Sequence, residues 1–108
     1  MLLVRRSANM KLVDSIVRLY WKALQDSDYD LTYNEISELL RYSMCILLNL
    51  PTQGSSRCIV EYGKYIVNYI RPEIDRLGLV NLAEDKRQGL LEACVHCVEM
   101  SRKLVVKA

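Results

Sequence analysis

Phenylalanine is missing from this chain of 108 residues, histidine occurs once, and no apolar run reaches the roughly 18 residues that a membrane span needs. Each absence closes a class of function. One histidine, no glycine-rich phosphate loop and no nucleophile beside a visible base leave little for catalysis, so the chain reads as a non-enzyme without a cofactor. The start, MLLVRRSANM, sets arginines directly behind a short apolar stretch, which fits neither a signal peptide nor a membrane span. There is also no Asn-x-Ser/Thr acceptor. The expected location is cytoplasmic, where the four cysteines would be reduced thiols.

What is present is globular: 51% hydrophobic and 26% charged residues, with an apolar share slightly above the ordinary range. A single domain over residues 1–108 is expected, with no internal repeat. Apolar residues recur at intervals of three and four nearly throughout, which predicts an all-α chain. Behind an N-terminal arm (1–8), the first helix is expected over about 9–25, its face formed by Leu12, Val13, Ile16, Leu19, Tyr20, Ala23 and Leu24. Asp14 and Arg18 pair on its other side.

The second helix is expected over 33–49, opened by a capping box of Thr32 and Glu35 and closed before Pro51 and Gly54, with Ile36, Leu39, Leu40, Ser43 and Leu47 inward. Ser55 or Ser56 caps a third helix over 56–77 that carries Gly63 on its apolar face and Pro72 within its pattern. That helix either ends near Tyr69 or kinks at Pro72 and continues to a cap at Gly78, and the second course is favoured. Asn81 and Glu84 repeat the capping spacing before a last helix over 82–106, whose face is Leu90, Leu91, Ala93, Cys94, Cys97, Val98, Met100, Leu104 and Val105. Four such helices on short connections make an up-and-down four-helix bundle.

Four patterns invite a chemical reading. In CVHC, Cys94 and Cys97 share the apolar face while His96 joins a polar stripe with Glu92 and Glu99, so the three do not converge on one metal ion. A four-thiolate site would need Cys45 and Cys58, whose spacing matches no zinc pattern, and structural thiols are the preferred reading. In DSDYD the aspartates at 26, 28 and 30 open like a calcium loop, but Leu31 and Ser37 stand where that loop needs glycine and glutamate. LTYNEISELLRYS resembles the start of a helix-turn-helix; MCILLNL, which would have to read bases, is core-like.

The fourth pattern is Tyr62, Tyr65 and Tyr69 along one side of the third helix. Beside Lys64 and Arg71 they suit nucleobase stacking, but a helix interface accounts for them better. The net charge of +2 is too small to argue for a polyanion partner, yet it is unevenly spread: residues 1–22 hold five basic and one acidic side chain, residues 23–40 five acidic and no basic ones. Arg5, Arg6, Lys11, Arg18 and Lys22 form a candidate phosphate-binding ridge, which would equally meet the acidic segment of a neighbouring copy. Trp21, Tyr62, Tyr65, Val95 and Val106 fall at or beyond the expected core faces, and MCILLNL is apolar nearly all round. The expectation is therefore a self-associating interaction protein, an adaptor or assembly subunit, with Trp21, Tyr62, Tyr65 and Tyr69 as interface candidates. The alternative is a nucleic-acid-binding subunit using the basic ridge and the tyrosines.

Overall fold

The computed structural model describes the backbone of residues 2–27 and 29–107 and the side chains of residues 10–27 and 29–101. The chain is all-α: α1 (Leu2–Asp26), α2 (Tyr33–Leu47), α3 (Arg57–Leu77), a 3-10 turn (Leu79–Asn81) and α4 (Glu84–Lys107), with no strand among the described residues. The four helices form a bundle measuring 41 × 32 × 23 Å. α2 packs most extensively on α3, α1 packs on α3 and α4, and α2 also packs on α4. Helices α1 and α2 thus meet mainly across the core, where the Tyr20 hydroxyl donates to the Ile36 carbonyl.

α1 begins at Leu2 instead of near Asn9, so the segment expected as an arm has helical backbone. The side chains of Arg5 and Arg6 lie outside the described residues. α2 opens with the expected capping box: the Thr32 amide donates to Glu35 Oε1 at 2.8 Å, and the Glu35 amide to Thr32 Oγ1 at 3.2 Å. It closes at Leu47, earlier than position 49, because Asn49 takes the left-handed conformation (φ 57°). The Asn49 amide donates to the Ile46 carbonyl and the Leu50 amide to the Cys45 carbonyl, a Schellman closure that folds Leu50 back into the core.

The Ser56 side chain caps α3, accepting from the Ile59 amide at 3.2 Å. The helix passes through Pro72 and stops at Gly78, whose φ of 64° is the left-handed cap that glycine adopts without Cβ strain. Asn81 does not cap α4. Its amide closes the 3-10 turn on the Gly78 carbonyl while Leu79 is buried, so α4 starts later, with Lys86 and Arg87 donating to Ala83.

The core holds Ile16, Tyr20, Leu39, Leu40, Met44, Ile66, Ile70 and Ile74, each fully buried, and every Leu or Ile among them contributes about 1.5–3 kcal/mol against exposure. α2 reaches α3 closely at Gly63, where an added Cβ would lie 2.6 Å from Tyr42 Cδ2 and 3.7 Å from the buried Ser43 hydroxyl. This is the close approach that a glycine on the apolar face predicts. Most of MCILLNL is core: Met44, Cys45, Leu47, Leu48 and Leu50 are buried, while Ile46 and Asn49 are exposed. The inward face of α4 differs from the expected one. Val95 is buried, while Ala93 and Met100 are exposed.

Candidate functional site

The three tyrosines of α3 are half-buried against the core and already have partners within the chain. Tyr29, from the α1–α2 connection, stacks on Tyr62 with ring centroids 3.7 Å apart and planes 13° apart, and meets Tyr65 edge-on at 5.9 Å. Tyr65 and Tyr69 contact at 6.0 Å, and the Tyr69 hydroxyl donates to Asp26 Oδ2 at 3.1 Å. Burial, followed by the bond to Asp26, pushes the Tyr69 hydroxyl up and keeps it protonated. The stripe straps the α1–α2 connection onto α3. Trp21 is half-buried as well, beside the Tyr20 ring at 5.9 Å.

The cysteines follow the helix geometry. Cys94 is fully buried, Cys97 half-buried and His96 exposed, which divides the CVHC motif between the inside and the outside of α4. Burial pushes the Cys94 thiol up to about 12, and it raises the thiols of Cys97 and Cys45 too, so these groups rest as thiols and are poor nucleophiles. All four cysteines are free, and no group of three or more His, Cys, Asp or Glu side chains converges to hold a metal among the described residues. Asp28, the middle aspartate of DSDYD, lies outside the described residues; Asp26 is occupied by Tyr69.

Polar staples fix the helices in register. Arg41 forks onto Glu92 through Nη1 to Oε2 at 2.9 Å and Nη2 to Oε1 at 3.0 Å, joining α2 to α4, and Gln88 adds a third donor at 3.0 Å. The Arg41 guanidinium holds the Glu92 carboxyl below the usual carboxylate range. Between α1 and α3, Ser15 Oγ donates to Glu73 Oε2 at 3.0 Å, while Arg76 grips the same carboxylate at 2.7 and 2.8 Å and lowers it likewise. Arg87 is the member that no local spacing announces. Its Nε donates to the Leu82 carbonyl at 3.0 Å, and its Nη1 donates to the carbonyls of Leu48 and Asn49 at 2.6 and 3.1 Å.

Of the basic ridge, Lys11, Arg18 and Lys22 are exposed on α1, and Arg18 forms the predicted pair with Asp14 at 2.8 Å. A groove of about 520 Å³ runs between α2, the 51–55 connection and α4, and Glu38, Tyr42 and the stapled Arg41 line it. Among the described residues no helix is long and apolar enough to cross a membrane. Among the described residues the exposed large apolar side chains are Met10 (65% exposed), Met100 (48%), Tyr33 (45%), Val80 (41%) and Ile46 (40%). Neither a protein-family model, nor a curated protein, nor a solved structure matches the chain.

Proposed function

We propose that this protein is an interaction module that self-associates and serves as an adaptor or assembly subunit. The observation that carries the reading is the exposure of Met10 and Met100, which lie on α1 and α4, two helices that pack on each other. The bundle buries Val95 and half-buries Trp21, Tyr62 and Tyr65, so the apolar surplus of the sequence comes down to a few positions that a second protein surface would cover. Val106 lies outside the described side chains. Flexible, polarisable methionine suits an adaptable contact.

The nucleic-acid reading keeps one support, the exposed cations Lys11 and Lys22, neither of which has an ion-pair partner among the described residues. It loses much of its stacking platform, since Tyr29 covers a face of Tyr62 and abuts Tyr65. Light scattering over a range of protein concentrations tests the proposal. The expected mass exceeds that of one chain and falls in the Met10→Glu, Met100→Glu double variant; a wild-type mass of one chain at every concentration would overturn it.

A further inference from the structure

We infer that the groove between α2, the 51–55 connection and α4 takes an extended segment of a partner protein that carries a basic side chain. Neither Met10 nor Met100 lines this groove, so the inference stands apart from the self-association proposed above. The α2 side of the groove is a single helix face. Arg41, Tyr42 and Cys45 follow Glu38 at three, four and seven residues and cover about 10 Å of the helix. α4 contributes Gln88 and the buried Leu91, and the connection contributes Pro51 to Ser55. The volume of about 520 Å³ lies within the size range of ligand sites.

Main chain and charge together choose the occupant. Pro51 to Ser55 run without a turn or a bend and without a left-handed residue, and no amide of Thr52, Gln53, Gly54 or Ser55 donates to an acceptor among the described residues. A Cβ on Gly54 would meet nothing within 4 Å, so a second backbone can approach there. An extended peptide pairs with such a stretch main chain to main chain, and three extended residues at about 3.3 Å each match the length of the α2 face. Arg41 is neutralised by the fork onto Glu92, whereas Glu38 is exposed and has neither a hydrogen bond nor an ion-pair partner among the described residues. The uncompensated charge on the lining is therefore negative, and it selects lysine or arginine in the incoming segment. An anionic occupant would have to displace Glu92 from Arg41. Half-buried Tyr42, beside buried Cys45 and Leu91, supplies apolar surface for the aliphatic stem of the basic side chain.

Amide NMR on the whole isotope-labelled chain tests this. A pool of capped tripeptides, with arginine at the centre and valine, leucine or threonine on either side, should shift the amides of Thr52, Gln53, Gly54 and Ser55 saturably, with half-saturation below about 1 mM. Glu38→Lys should weaken that binding by roughly tenfold or more, and so should backbone N-methylation of the peptides. Circular dichroism checks that this exposed substitution leaves the helices intact. No saturable shift at these amides would overturn the inference. Equal binding by a glutamate-centred pool, or by the Glu38→Lys variant, would refute the selection of a basic residue. If n-butylguanidine or the N-methylated pool binds as tightly as the original pool, the groove is a small-cation site and the main-chain pairing is wrong.

Discussion

The two ends of α2 are held in opposite ways. At the N-terminus, Thr32 and Glu35 satisfy each other's amides across three residues of chain. At the C-terminus, the Schellman closure at Asn49 is completed from afar: Arg87, which is 39 residues from Leu48, bonds the Leu48 and Asn49 carbonyls and the Leu82 carbonyl together. A local device shows that a helix can start. The remote device also fixes where the helix ends relative to α4, so the C-terminal end carries tertiary information that the capping box does not.

Substitutions at the two ends should separate these roles. Arg87→Ala strips donors from three carbonyls, of which the Leu48 and Leu82 bonds are part-buried, and urea unfolding should show a loss of about 1–3 kcal/mol, the largest of the series. Asn49→Ala forces a side chain with no local hydrogen bond into the left-handed region, and the same measurement should give a loss of about 1 kcal/mol, with Asn49→Gly close to wild type. Thr32→Ala should cost about 1 kcal/mol or less at the exposed N-terminus. Were Thr32→Ala to cost more than Arg87→Ala, the contrast between the ends would be reversed.

A smaller effect concerns pH. Glu92 is held low by Arg41, so its contribution is fully present above the ordinary carboxylate range and is lost as pH falls through that range towards its depressed value. Both side chains are about half exposed, and the pair is therefore worth at most a few tenths of a kcal/mol. The Glu92→Gln variant should accordingly unfold with slightly less acid sensitivity than wild type between about pH 5 and 3.

The same contrast explains how much the sequence makes legible. The helical class, the capping box at Thr32, the Ser56 cap, the Gly78 stop and the Gly63 approach depend on spacings of a few residues, and the periodic pattern displays them. Asn81 has the same local spacing as Thr32 but does not cap, because burial of Leu79 commits the connection to a 3-10 turn. Tyr29 and Arg87 act on residues far away in the chain, and no local spacing points to them. The α3 tyrosines were readable as a stripe, but their partner Tyr29 sits in a stretch that otherwise looks like a solvated acidic loop. The apolar surplus was visible in composition; on α4 its placement at Met100, and not at Val95, depends on the rotation of that helix, which only packing decides.

The most direct test of the central claim, that this bundle is a self-associating protein–protein module, is its absolute mass by light scattering at low and moderate salt, with and without a mixed RNA and DNA oligonucleotide pool. The account predicts a mass above one chain that the pool leaves unchanged. A single-chain mass that rises only when the pool is added, and returns to one chain as salt increases, would contradict it and make the α1 cations the functional site.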